Sequence, residues 1–70
     1  MEPRDQLAAN LRRARSEAQL TQEALGDLAG MHATEVSRLE RGVRDPRFST
    51  LLRLARALDT PVSELVAGIQ

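Results

Sequence analysis

Residues 22–41 read Gln22-Glu23-Ala24-Leu25-Gly26-Asp27-Leu28-Ala29-Gly30-Met31-His32-Ala33-Thr34-Glu35-Val36-Ser37-Arg38-Leu39-Glu40-Arg41. Two helical runs meet here with only a short turn between them. The first starts after Thr21, a good N-cap, and Glu23 falls in its first turn, where the helix dipole favours negative charge. Ala24 takes the third helical position, so the start is not a full capping box. Gly30 is a natural left-handed terminator. The second run spans about Ala33 to Arg41 and ends at Gly42. Helices joined by so short a turn must cross at a steep angle. Gly26 lies where the second helix passes over the first, and a larger side chain would hold them apart. Gly30 accepts positive φ at no Cβ cost. Val36 packs back toward Gly26, while Leu25, Ala29, Met31 and Leu39 supply the rest of the inward face.

Working outward, helical periodicity continues on both sides. Leu7, Leu11, Ala14 and Ala18 form one stripe of a first helix over about Asp5 to Ala18, with Asp5 as its cap. Leu51, Leu54, Ala55 and Leu58 form the stripe of a fourth helix over about Ser49 to Leu58. Asp45-Pro46 lies in a charged turn before it. Thr60 caps a fifth helix with Pro61 at its first position, where a missing N–H costs nothing; it runs to about Ala67, near Gly68. Gln19 stands at the turn before the second helix. A left-handed backbone there costs about 1 kcal/mol relative to glycine. Residues 1–70 make one all-α domain with no repeat, linker or low-complexity segment.

The spacing of a small residue, Gly four positions on and a β-branched apolar residue six beyond that is a helix-turn-helix signature, with its unit at about residues 22–41. A helical hairpin with glycine in its turn also arises as plain architecture, so the spacing alone leaves both readings open. Longer phrases add specificity: Leu20-Thr21-Gln22-Glu23, then Val36-Ser37-Arg38-Leu39-Glu40-Arg41-Gly42, then Pro46, then Thr50-Leu51-Leu52-Arg53-Leu54-Ala55. With these, the chain from about Leu11 to Leu65 resembles the Cro/C1-type (XRE) family of DNA-binding domains.

The resemblance implies a compact five-helix, lambda-repressor-like fold whose third helix enters the DNA major groove. On that helix His32, Ala33, Thr34, Ser37 and Arg38 face base edges. Arg38 is the strongest specificity candidate, because a guanidinium can bond guanine O6 and N7 together. Glu35 must turn from the phosphates or bond a cytosine N4. Gln22, whose position contacts a phosphate in the family, joins Thr21, Arg41, Arg44 and Arg47 as expected backbone contacts. Gly26, Gly30, Val36 and Leu39 are the structural positions of the motif. Arg15 and Glu40 correspond to a structural ion pair between the first and third helices.

Plainer roles are expected elsewhere. His32 reads as a cap or groove-lining residue, since no nucleophile or second base accompanies it. Phe48 reads as a core plug of the fourth helix. Arg12, Arg13, Arg53 and Arg56 read as members of solvated faces, and Met31 as core. Leu28, Leu52, Val66 and Ile69 have no obvious place in the inner stripes. A contiguous apolar patch among such residues would mark self-association, with the C-terminal end as first choice.

Composition agrees with this reading. Leu and Ala dominate, and Phe48 is the one aromatic residue, which disfavours strands and aromatic base-stacking platforms. Without cysteine there is no disulfide framework and no thiolate zinc site. Apolar runs are too short for a membrane span or a signal-peptide core. The cations are all Arg, and ten of them balance ten acids to a net charge of zero. The balance is uneven along the chain: residues 1–31 carry −1, residues 32–56 carry six Arg against three acids, +3, and residues 57–70 carry −2.

The expected function is sequence-specific binding of double-stranded DNA by a cytoplasmic, homodimeric transcriptional regulator on a dyad-symmetric operator. No catalysis, metal, cofactor or membrane is implied. Restriction-modification controllers and small phage-type repressors have this size in the family. The alternative is a protein-interaction module, of antitoxin or coactivator type, built on the same fold.

Overall fold

A computed structural model describes all residues, Met1–Gln70. Five helices follow one another: α1 (Pro3–Glu17), α2 (Gln22–Ala29), α3 (Ala33–Glu40), α4 (Phe48–Ala57) and α5 (Val62–Leu65). They enclose one core of Leu7, Leu11, Leu25, Ala29, Val36, Leu39, Leu54, Ala55, Leu58 and Leu65. The structural pairs are α2 with α3 and α4, α1 with α3 and α5, and α4 with α5. The molecule measures 29 × 22 × 21 Å.

Local chemistry explains the boundaries. Thr21 caps α2 as expected, its Oγ1 accepting from the Ala24 N–H at 3.0 Å. Gly30 closes that helix at φ 72°. Three helices then end in the same way. Beyond α1, α3 and α4 a left-handed residue follows the cap, namely Gln19, Gly42 and Asp59. In each, the left-handed residue and its successor donate back to two carbonyls of the last turn. Thus Asp59 N–H reaches Arg56 O at 3.1 Å and Thr60 N–H reaches Ala55 O at 2.9 Å.

Several boundaries differ from the sequence expectation. Asp5 does not cap α1; Glu2 holds the cap position and Pro3 opens the helix, leaving Asp5 in the first turn. Proline's fixed φ starts the helix two residues early and loses no helical hydrogen bond there. Pro61 is extended at φ −70°, ψ 150° and itself occupies the cap position of α5, which ends at Leu65. The Thr60 N–H closes α4, so Thr60 belongs to the end of one helix rather than the start of the next.

Phe48 is not a core plug. It is the first residue of α4 and 68% exposed. The buried positions of that helix, Leu54 and Ala55, lie a turn or more further along, beyond the reach of a side chain at its first position. Ile69 packs against the core from the outside, as do Met31 and Leu51. The C-terminal segment is held by a contact that periodicity did not reveal. Asn10 is buried in α1 and its Nδ2 donates to Leu65 O at 2.9 Å and to Ala67 O at 2.8 Å. Gln6 Nε2 in turn donates to Asn10 Oδ1 at 3.0 Å, which fixes the amide's orientation.

Candidate nucleic-acid interface

The geometry of the site is that of α3. Its inward face, Val36 and Leu39, is buried against Leu25 and Ala29 of α2. Gly26 sets how closely α3 approaches. A Cβ at that position would stand 2.6 Å from Met31 O and 3.2 Å from the Ala33 N, both backbone atoms. The start of α3 therefore rests directly on the α2 backbone.

The far end of α3 is tied to α1. Arg15 meets the Glu40 carboxylate with Nε at 2.6 Å and Nη2 at 2.9 Å, while its Nη1 donates to Leu20 O at 2.9 Å. Burial of the pair is asymmetric, with 2% of the Glu40 side chain exposed against 22% of Arg15. The hydrogen bond to Glu40 raises the Arg15 pKa above its ordinary value, partial burial opposes it, and the charge of Glu40 adds to it. Arg12, expected on a solvated face, donates through Nη1 to the backbone carbonyl of Glu40. Arg53, also expected in solvent, donates through Nη1 to Gly30 O at 3.3 Å and braces the turn between α2 and α3. Long arginine side chains reach neighbouring helix ends, and the period of their own helix does not reveal this.

These attachments leave one face of α3 free. Thr34, Arg38 and Arg41 are exposed and follow one another at four and three residues, along one line of the helix. Ala33 and Ser37 are half-buried beside that line, and His32 is exposed at the cap position without a side-chain capping bond. Arg41 Nε lies 3.4 Å from Ser37 O. Beyond α3, Arg44 and Arg47 are exposed and share an open cleft with Glu35, Asp45, Thr50 and Arg53. Glu35 thus lies on the flank that carries three cations. Thr21 is exposed at the mouth of α2. Gln22 is half-buried, and its Nε2 donates to Glu40 Oε1 at 3.1 Å, so it joins the ion pair.

Of the expected site residues, Thr21, His32, Thr34, Arg38, Arg41, Arg44 and Arg47 are exposed, Ala33 and Ser37 are half-buried, and Gln22 is half-buried and bonded to Glu40. No cluster of three or more His, Cys, Asp or Glu side chains is placed to hold a metal. No helix is long and apolar enough to cross a membrane.

Comparison with known proteins gives consistent matches. A family model described as a helix-turn-helix domain matches residues 6–67. The control protein C.SmaI of Serratia marcescens is 39% identical over 66 residues, covering 94% of this chain and 79% of the relative. The crystal structure of the restriction-modification controller C.AhdI from Aeromonas hydrophila superposes with a TM-score of 0.86 at 35% identity, covering 89% of this chain and 94% of that one. The P22 c2 repressor, solved in complex with a synthetic operator, superposes with a TM-score of 0.81 at 29% identity, with coverage of 89% and 94%.

Proposed function

This chain belongs to the helix-turn-helix family, of the Cro/C1 (XRE) type, and from that premise we propose that it is a sequence-specific double-stranded DNA-binding transcriptional regulator of the cytoplasm. One observation carries the reading. The line Thr34, Arg38, Arg41 is exposed, while Val36 and Leu39 bury the opposite side of α3 and Glu40 ties its end to α1. A rigid helix with a free polar and cationic edge is what major-groove readout requires. His32, Ala33, Thr34, Ser37 and Arg38 then face base edges, and Thr21, Gln22, Arg41, Arg44 and Arg47 face the backbone. The protein acts by occupying its operator and performs no catalysis. Its similarity to a control protein, a restriction-modification controller and a repressor solved on a synthetic operator supports this reading.

The regulator works as a homodimer on a dyad-symmetric site, with half-sites about 34 Å apart. The C-terminal end contributes less to that dimer than its apolar sequence implies, because Ile69 already packs on the chain's own core. The adjoining surface of α4 and α5 offers more. Leu52, Ala55, Pro61 and Val62 line one concavity there, with Arg56 and Asp59 among them. Opposite charges at its edge suit a two-fold contact in which each copy offers both.

Selection of sites from random double-stranded DNA tests the proposal. An enriched dyad motif is expected, with affinity falling steeply as salt rises, by about 0.9 in log K per log salt for each phosphate neutralised. No enrichment at tens of millimolar salt rejects it. The second reading, a protein-interaction module, draws on Leu28 and Phe48, exposed by 62% and 68%. Binding of a protein partner with salt-insensitive affinity, and no DNA selection, would favour it.

A further inference from the structure

Arg53 holds the turn from which α3 starts. Gly30 ends α2 in left-handed backbone at φ 72°, and outside the helices no backbone N–H donates to its carbonyl. Arg53 Nη1 is the donor that carbonyl has within the chain, at 3.3 Å. The guanidinium lies across the glycine, 3.8 Å from where a Cβ would stand. Arg53 leaves α4 beside Leu54 and Ala55, both buried in the core, so the base of its side chain is fixed. On this side α3 has little other support. It packs on α2 and α1, but toward α4 it faces an open cleft of about 310 Å³, with Glu35 and Leu39 on one wall and Thr50 and Arg53 on the other. Mostly polar and charged side chains line that cleft, so apolar packing does not set how α3 lies relative to α4. Arg15 and Arg12 act at Glu40, the far end of the helix.

We propose that Arg53 is a positioning residue for base readout: by holding the Gly30 carbonyl it fixes where α3 begins, and so where His32, Thr34 and Arg38 meet the bases. The inference rests on the DNA-binding reading above, and it gives Arg53 no contact with DNA. A hydrogen bond to a base edge weakens steeply as its angle departs from linear, so a reading helix must start in one place. A phosphate contact made by a long arginine follows small displacements of the backbone and carries no sequence information. A loosened turn therefore costs the operator-specific part of binding and spares the rest. Holding the turn before DNA arrives also removes the cost of ordering it from the binding step.

The test compares the full chain with its Arg53→Lys variant, on an operator obtained by random selection and on an unrelated duplex. Nη1 already stands 3.3 Å from the carbonyl, so a lysine, one bond shorter, keeps the charge and falls short of the bond. Arg53 is exposed, and thermal melts establish that binding is measured on folded protein. Arg53→Lys is expected to lower operator affinity about five- to tenfold, the scale of one hydrogen bond, with affinity for the unrelated duplex and the salt slope unchanged. Operator affinity equal to wild type overturns the proposal, because charge alone then suffices. An equal loss on both duplexes overturns it too, since that is the mark of a phosphate contact. NMR relaxation of the free proteins supplies a readout without DNA. Backbone amides from Gly30 to Thr34 should gain mobility in the variant while those of Val36 to Glu40 do not; equal order in both proteins removes the positioning role. A wild-type chain that selects no DNA removes the functional reading instead, and the relaxation data still report whether Arg53 orders the turn, so the two failures are told apart.

Discussion

Arg15 and Glu40 form a two-pronged ion pair in which the acid is almost wholly buried and the base is not. The pair joins α1 to the last residue of α3, 25 positions along the chain. Removing the arginine leaves a buried carboxylate with only Gln22 as a side-chain donor. Breaking such a pair costs about 3–5 kcal/mol. Arg15→Ala is expected near the lower figure, because Arg15 is partly open to water, and its melting temperature should fall by more than 10 °C, at about 4–8 °C per kcal/mol for a domain this small. The raised pKa of Arg15 gives the sign of any pH effect. Its stabilisation is complete at every pH below the unfolded value and is lost only as strong alkali passes the folded one. The wild-type-minus-variant difference, followed by thermal melts from pH 7 to 9, should therefore be flat. An unchanged melting temperature in Arg15→Ala would remove the pair from the account of stability.

Gly26 makes a different demand. Alanine there gains about 1 kcal/mol in helix propensity, but its Cβ would stand 2.6 Å from Met31 O. The obstructing atom is backbone, so α3 as a whole must shift. Gly26→Ala is expected to be destabilised by about 1–3 kcal/mol and to lose operator affinity beyond what unfolding explains. Gly30→Ala is the comparison: the nearest atom to its Cβ is 3.8 Å away, and its cost comes from positive φ alone. Chemical denaturation and operator titration of both variants check this. A Gly26→Ala protein as stable as wild type would mean that close approach does not set the α2–α3 geometry.

Gln19 and Asp59 hold left-handed backbone at φ 59° and 51° without being glycine. Each closes a helix in the same geometry that Gly42 uses after α3. A non-glycine residue there is strained by about 1 kcal/mol or more, less for aspartate, which tolerates the region better. Gln19→Gly should raise stability by about 0.5–1 kcal/mol, and Asp59→Gly by a smaller amount. Neither side chain makes a bond that would be lost. Melting curves check it, and a fall in stability for Gln19→Gly would show that unfolded-chain entropy outweighs the strain.

Asn10 is the clearest example of a residue that sequence periodicity cannot place. It sits between Leu7 and Leu11 on α1, and its partners lie 55 and 57 residues away on the chain. The period of α1 identifies Leu7, Leu11 and Ala14 but also counts Ala18, which is exposed at the helix end. Thr21, Gly30 and Gly42 mark helix ends as expected, whereas Thr60 does not cap α5. Both signals are local. Asn10, Arg12 and Arg53 act across the fold through long or buried polar contacts, and Phe48 fails to pack because of where α4 meets its neighbours. Arg15 with Glu40 was legible only because a family phrase carried the pairing. Asn10→Ala leaves the carbonyls of Leu65 and Ala67 without this donor, at a cost of about 2–3 kcal/mol. Hydrogen exchange should accelerate first in α5 and the residues after it. Uniform acceleration would instead mean that the C-terminal segment unfolds only with the whole domain.

The proposed function divides DNA recognition between Arg38, on base edges, and Arg44, on the phosphate backbone. Both are exposed, and neither has an ion-pair partner within the chain. Arg38 lies on the free line of α3, whereas Arg44 lies past its end in the cation-lined cleft. A base contact discriminates between sequences by about 1–3 kcal/mol, so Arg38→Ala should lower operator affinity by roughly tenfold or more and relax the preference at one base pair of each half-site. A phosphate contact carries no sequence information, so Arg44→Ala should weaken operator and non-operator DNA alike and reduce the salt slope by about 0.9 per site occupied. Binding of each variant to a panel of single-base operator changes, across a range of salt, measures both effects at once. The two parts of the interface are misassigned if Arg38→Ala weakens all sequences equally while Arg44→Ala changes the preferred base.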